Sequence, residues 1–233
     1  MPQLEFTGQE ATVHKAIVVS LDLAGFSDFC NQPEASIVAP KLTERFFDQL
    51  NGHFYETGDG TFFAKDPVPG KLPEPSFIKF TGDGALMLWV CPVTENFPQA
   101  FCDQVVEVMR KFQQNLHQNL PNWEREWHVH RLPKRVRVGI ATGVVYALRP
   151  PHLITSWTEP CDYVGYCINL AVRFQSHCRE AGFLVHGTMH PSLTGMVALR
   201  AVKMKGTQEE PVVMFDSDLL LVPVGVRQKK FRT

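Results

Sequence analysis

Phe77-Ile78-Lys79-Phe80-Thr81-Gly82-Asp83-Gly84-Ala85-Leu86-Met87-Leu88-Trp89-Val90 is the stretch that sets the fold class. Residues 77–80 and 85–90 carry the aromatic and apolar side chains of two short strands. Between them, Thr81-Gly82-Asp83-Gly84 predicts a tight hairpin, because glycine reaches the positive φ that such turns need. Upstream, residues 16–23 form an apolar, β-branched run, a buried strand with Asp22 at its end and Gly25 turning the chain. Residues 33–55 place Ile37, Leu42, Phe46, Phe47, Leu50 and Phe54 at helical spacing, and residues 59–75, with several Pro and Gly, predict a loop insertion. Downstream, residues 97–120 predict a long amphipathic helix with Phe101, Val105, Val108, Met109, Phe112 and Leu116 on one face. A polar, Trp-containing stretch, 121–133, separates it from a strand at 136–142. Gly143 then marks a bend or a close approach, and 144–148 continue extended. Residues 165–178 read as a helix, 183–186 and 212–215 as late strands, and 226–233 as a basic, solvated tail. This order predicts an α+β, ferredoxin-like fold: a mostly antiparallel sheet with helices packed on one face.

With 233 residues, 44% of them hydrophobic, the chain can bury one sizeable core, so residues 1–233 read as a single domain with its core at about 15–216. The formal net charge is −1 and Lys and Arg are spread along the chain. A ferredoxin-like sheet that bound nucleic acid would need a basic face with interleaved aromatics, so no nucleic-acid partner is expected. The six cysteines form no C-x-x-C pair and no zinc spacing, which predicts reduced thiols. No signal pattern is visible, and no apolar run is long enough to span a bilayer. A cytoplasmic protein without membrane contact is the expectation.

Two aspartates sit at strand ends beside glycines: Asp22 in Leu21-Asp22-Leu23-Ala24-Gly25-Phe26, and Asp83 at the hairpin tip. Either alone reads as a turn residue. Together, two carboxylates on adjacent strands suit a pair of hard divalent cations completed by substrate phosphates. In Asn169-Leu170-Ala171-Val172-Arg173 an amide and a guanidinium stand at i and i+4 and share one helix face. That pair can orient a ribose and neutralise a phosphate, since Arg offers planar, bidentate charge.

These residues resemble the class III adenylyl and guanylyl cyclases. Asp22-x-x-Gly25-Phe26 looks like their first metal motif, and Lys79-x-x-Gly82-Asp83 like their base-contacting lysine followed by the second metal aspartate. Arg137-Val138-Gly139-Ile140-Ala141-Thr142-Gly143 resembles their R-x-G-I-x-x-G strand. Asp162-x-x-Gly165-x-x-x-Asn169-x-x-x-Arg173 matches their base-selecting position and then their transition-state Asn and Arg. The chain departs from the pattern at Tyr166, where many members carry an aspartate, and in the longer loop 59–75. The phosphate-binding lysine of the family corresponds to Lys203 or Lys205, with Lys205 carried into the candidate site beside Phe26.

The resemblance implies a nucleotidyl cyclase that uses two Mg²⁺ or Mn²⁺ ions per site to convert a nucleoside triphosphate to its 3′,5′-cyclic nucleotide and pyrophosphate. It implies a homodimer with two shared sites, one chain giving Asp22 and Asp83 and the other Lys79, Asp162, Asn169 and Arg173. Backbone N–H groups of residues 24–27 are placed to cradle phosphates. A lone catalytic domain with these local sequences looks most like the bacterial pyrimidine cyclases of antiphage defence. That makes UTP the expected substrate, with Phe26, Phe46 and Phe47 as candidates to narrow the base pocket. An adenylate cyclase, to which Lys79 and Asp162 correspond by residue type, and an inactive cyclase-fold module that only binds nucleotide are the alternatives.

Overall fold

In chain order the elements are β1 (Thr12–Ala24), α1 (Phe26–Cys30), α2 (Ala35–Asn51), β2 (Phe54–Tyr55), β3 (Leu72–Pro73), β4 (Phe77–Phe80), β5 (Gly84–Pro92), α3 (Gln99–Glu126), β6 (Arg135–Leu148), β7 (Asp162–Val164), α4 (Tyr166–His177), β8 (Phe183–His186), β9 (Met196–Lys203) and β10 (Glu209–Phe215). The structure is a computed structural model that describes residues 12–56, 68–129, 131–148, 162–178, 182–189, 191–215 and 217.

The predicted buried run 16–23 lies at the centre. β1 pairs antiparallel with β5 on one side and with β6 on the other. Among the described residues the sheet has eight strands in the order β4-β5-β1-β6-β8-β10-β9, with β7 also pairing with β6. Only β6 and β8 run parallel in it; the other pairs are antiparallel. β2 and β3 make a separate parallel pair: β2 takes the end of the stretch expected to be helical to residue 55, because α2 stops at Asn51 before the turn at Gly52, and β3 falls inside the expected loop 59–75. Residues 59–67 of that loop, like the tail 226–233, lie outside the described residues.

Alternation along β1 divides the core. Ile17, Val19, Leu21 and Leu23 join Phe46 of α2 and Phe112 of α3. Ala16 and Val18 join Leu170 and Phe174 of α4. The helices therefore cover both faces, where the sequence reading put them on one. The residues of β1 are apolar at both parities, so both faces demand a cover. α4 lies close over β6: a Cβ on Gly139 would fall onto the Ala171 carbonyl and 2.5 Å from the Gln175 nitrogen. Gly143 proves a close approach, since its Cβ would stand 2.9 Å from that of Cys167.

α3 does not stop at residue 120 but runs through Pro121 to Glu126. Leu120 and Trp123 stay buried, extending the apolar stripe of Leu116 past the proline, so packing outweighs the breaker. Arg45 of α2 lies over the Trp123 and Trp127 rings and forms a bidentate pair with Glu126 at 2.7 and 2.8 Å. Buried Gln113 fixes the middle of α3 to the sheet by donating to the Val136 carbonyl at 2.8 Å, and His117 Nε2 accepts the Val136 N–H at 2.9 Å.

The five described cysteines, Cys30, Cys91, Cys102, Cys167 and Cys178, are free. Burial pushes the Cys102 and Cys167 thiols up to about 11. Among the described residues no helix is long and apolar enough to cross a membrane.

Candidate active site

The hairpin forms as predicted: Phe80 pairs with Ala85, the Thr81 N–H donates to the Gly84 carbonyl at 3.0 Å, and Gly82 takes φ +92°. The Leu23 N–H donates to the Asp83 carbonyl at 2.9 Å, tying the hairpin tip to the end of β1. Asp22 faces Gly84 across one ladder and Arg137 across the other. On β1 it has the parity of Ala16 and Val18, and on β6 Arg137 has the parity of Ala141 and Val145. Both side chains therefore stand on the face that α4 covers. Arg137 donates to Asp22 Oδ2 through Nε at 2.8 Å and also through Nη2.

The two aspartates are in contact. Burial, a hydrogen bond to Asp22 and the Asp22 charge push the Asp83 carboxyl up to about 6, with the Arg137 charge acting in the opposite sense. Two carboxylates crowded in one place resist joint ionisation, and a divalent cation between them removes that resistance. The donor set is oxygen only, the kind that Mg²⁺ and Mn²⁺ prefer. The two aspartates thus fit the metal role, with Arg137 already engaging one oxygen of Asp22. Arg137 is the member of this group that sequence reasoning did not place in the site. Its signal was present in the R-x-G-I strand, but its cross-strand partner emerges only from the register.

The second group is Lys79 with Asp162. Lys79 pairs with Leu86 and thus shares the α4 face. Its Nζ donates to Asp162 Oδ2 at 2.6 Å, although the two are 83 residues apart. β7 makes this possible. Tyr163 is buried with its ring 5.5 Å from Phe77 and 6.4 Å from His14, which holds β7 across the sheet face. Burial acts to raise the Asp162 carboxyl, but the Lys79 hydrogen bond, the Tyr163 N–H and the Lys79 charge together hold it below its ordinary value. The pair offers an ammonium donor beside a carboxylate acceptor.

The third group is on α4. Asn169 is exposed and Arg173 half-buried, one turn apart. Arg173 Nη1 donates to the Lys205 carbonyl, and the guanidinium lies against Gly206, 3.1 Å from where a Cβ would be. Of the two candidate lysines, Lys205 is therefore the one whose backbone meets Arg173; Lys203 is exposed at the end of β9.

The aromatic candidates divide. Phe46 is a core residue, 1% exposed and 5.5 Å from Phe112, so it does not line a pocket. Phe47 packs its ring 4.3 Å from that of Phe80, which is 61% exposed beside Lys79. Phe26 packs against the core with its ring 5.9 Å from Phe29. Next to the β1–α1 turn opens a cavity of about 340 Å³ lined by Gly25, Asp28, Gln32, Arg131, Lys134 and Arg135 among others.

No protein-family profile matches the chain, and no curated protein matches it in sequence. Solved structures do match in fold. The guanylyl cyclase Cya2 superposes with a TM-score of 0.61 at 19% identity, over 88% of this chain and 92% of that one. The adenylyl cyclase CyaB from P. aeruginosa gives 0.60 at 15% identity, over 88% and 95%. The guanylate cyclase domain of RhGC from Catenaria anguillulae, solved in complex with GTP, gives 0.55 at 14% identity, over 88% and 98%. The chain has the fold of class III nucleotidyl cyclase domains.

Proposed function

We propose that the chain is a nucleotidyl cyclase that closes a nucleoside triphosphate into its 3′,5′-cyclic nucleotide and releases pyrophosphate. The observation that carries this reading is the Asp22–Asp83 contact at the junction of β1 and the hairpin, on the sheet face from which Lys79 meets Asp162. In the reaction the ribose 3′-oxygen loses its proton and attacks the α-phosphorus in line as the bond to the pyrophosphate oxygen breaks. Asp22 and Asp83 would hold two divalent cations, which would supply acidification of the attacking hydroxyl and neutralisation of the leaving phosphates. Asn169 orients the ribose, Arg173 neutralises charge on the α-phosphate, and Lys205 holds the triphosphate. Phe26, four residues after the first aspartate, is the proposed pocket residue of that motif.

The base is read by Lys79 and Asp162. Uracil presents an N3–H flanked by two carbonyl oxygens, which matches an acceptor held 2.6 Å from a donor. A site with fixed polar groups discriminates more sharply than one relying on shape alone. UTP is therefore the proposed substrate, with Phe47 and Phe80 narrowing the pocket. The same two residue types favour the second reading, adenylate cyclase, since they correspond to the adenine readers of the family.

A homodimer with shared sites suits an apolar row on the sheet: Val13, Tyr146 and Val164 face one another across β1, β6 and β7 and are 38%, 46% and 47% exposed. The resemblance to antiphage pyrimidine cyclases makes the cyclic product a second messenger of that defence. Loss of phage resistance on deleting the gene from its host is the outcome expected there.

Incubation with equal ATP, GTP, CTP and UTP and Mn²⁺, with cyclic products and pyrophosphate quantified, tests the reading. Cyclic UMP dominant is expected, with CTP used less and purines poorly. Cyclic AMP dominant replaces the pyrimidine assignment by the adenylyl one. No cyclic product from any of the four overturns the cyclase reading itself.

A further inference from the structure

The start of α4 is tied to the start of β10 by a chain of polar contacts that none of the roles above uses. Tyr166, the residue that departs from the family pattern, donates its hydroxyl to Glu210 Oε1 at 2.5 Å. Glu210 Oε2 lies 3.3 Å from His186 Nε2, and His186 Nδ1 lies 2.7 Å from Thr188 Oγ1. His186 is 8% exposed, and burial lowers its pKa against the opposing pull of Glu210. A neutral ring satisfies both neighbours by donating from Nε2 to Glu210 and accepting the Thr188 hydroxyl at Nδ1. The Glu210 carboxylate is thereby held from behind, inside a strand whose register shifts between Glu210 and Val212 around Pro211.

A second tie lies one face-length away. Tyr166, Asn169 and Arg173 stand at i, i+3 and i+7 on α4, a single stripe. Arg173 grips the Lys205 carbonyl and Gly206. The turn between β9 and β10 closes on itself through the Thr207 N–H to the Met204 carbonyl, 3.1 Å, and the Met204 N–H to the Thr207 hydroxyl, 3.2 Å. Between the two ties, a cleft is lined by Tyr166, Gly206, Thr207, Gln208 and Glu210. The stripe and the turn are thus joined at both ends of that cleft.

We infer that Tyr166 and Glu210 are positioning residues: their hydrogen bond fixes the 204–208 turn against α4 and so sets where Arg173 and Lys205 meet the phosphates. The inference rests on the cyclase reading for its catalytic consequence, but not for the clamp itself. A phenol on a rigid ring is a short, stiff link. Once its oxygen is anchored, the helix cannot slide along the turn without breaking a charge-assisted bond. Arg173 makes its key interaction only as charge develops, so misplacement shows in kcat before KM.

The test compares Tyr166→Phe, which removes only the hydroxyl, with Glu210→Ala, Glu210→Gln and Arg173→Lys in the full chain. Tyr166→Phe and Glu210→Ala are each expected to lower kcat by about ten-fold or more while KM changes less than about three-fold. Glu210→Gln, whose amide oxygen still accepts from Tyr166, recovers most of that loss. In the Arg173→Lys background Tyr166→Phe adds little, because both act through the same guanidinium. Hydrogen exchange read by mass spectrometry follows the clamp without turnover: amides of residues 205–208 exchange faster in Tyr166→Phe than in wild type, and at near the wild-type rate in Glu210→Gln. Unchanged exchange in Tyr166→Phe overturns the clamp. Faster exchange with unchanged kcat, or a fully additive double variant, overturns its link to Arg173. A wild-type protein that cyclises no triphosphate fails the cyclase reading instead, and the exchange experiment still decides the clamp.

Discussion

At the scale of single residues, the site depends on groups that are held by other groups. Asp22 shares its carboxylate with Arg137, and Asp83 is crowded by Asp22. Asp22→Asn and Asp83→Asn each remove one charge from an oxygen cluster while keeping its volume. Each should lower turnover by at least about a hundred-fold and leave the thermal unfolding midpoint within a few degrees. Near-normal turnover in either variant excludes the metal role. A half-buried histidine of α3 makes the protein's stability depend on acid. His117 accepts the Val136 N–H through Nε2, and burial, reinforced by the Arg135 and Arg110 charges, lowers its pKa to about 4. The unfolded chain binds the proton near pH 6.5 and the folded chain does so only near pH 4. The stabilisation is therefore complete above about 6.5 and is lost as the pH falls toward 4. Partial exposure trims it to roughly 1–2 kcal/mol between pH 7 and 5. Urea unfolding at the two pH values should show that loss, and His117→Gln, which keeps an acceptor but no titration, should flatten it.

At the scale of elements, α4 is the piece whose seat matters most, because Tyr166, Asn169 and Arg173 all ride on it. Gly139→Ala drives a methyl into the Ala171 carbonyl and must lift the helix from β6. A loss of roughly 1–3 kcal/mol follows, seen as a midpoint lower by several degrees, with turnover falling further than stability alone explains. A variant as stable and active as wild type would contradict this seating. The long elements were legible in the sequence because their patterns are long. β1 is a largely apolar, β-branched run, α3 a sustained stripe, and the hairpin is announced by Gly82 and Gly84. The short elements were not. β7 has three residues, Asp162–Val164, too few to display alternation, and its place is decided by Tyr163 docking on Phe77 rather than by its own sequence. β9 was also missed, since Met196–Lys203 carries Arg200 and Lys203 among its apolar residues and borrows its order from β10. The end of α3 was read at Pro121 because a proline is a local signal and the burial of Trp123 is not. In the proposed site, Asp22, Asp83, Asn169 and Arg173 could be named from strand-end position, helical spacing and the family resemblance. The Arg137–Asp22 and Tyr166–Glu210 contacts could not, since cross-strand register and a contact spanning 44 residues leave no local trace.

At the scale of the whole molecule, the proposed shared sites make activity a property of two chains. Asp22→Ala and Arg173→Ala should each be inactive alone, and mixing them should restore turnover, because mixed dimers regain one complete site. Mixtures that stay inactive while subunits demonstrably exchange would rule out that geometry. The central place of β1 has another consequence, for the order in which the protein comes into being. One flank of this largely apolar strand is covered by β5, but the other waits for β6, whose Tyr146 and Ala147 pair back to Val13 and Thr12 at its very start. During synthesis the nascent chain therefore carries an open, apolar strand edge for on the order of ten seconds while the intervening residues are made. A ribosome-bound chain ending before residue 135 should recruit chaperones and resist autonomous folding, and one extending past Leu148 should begin to acquire protease resistance.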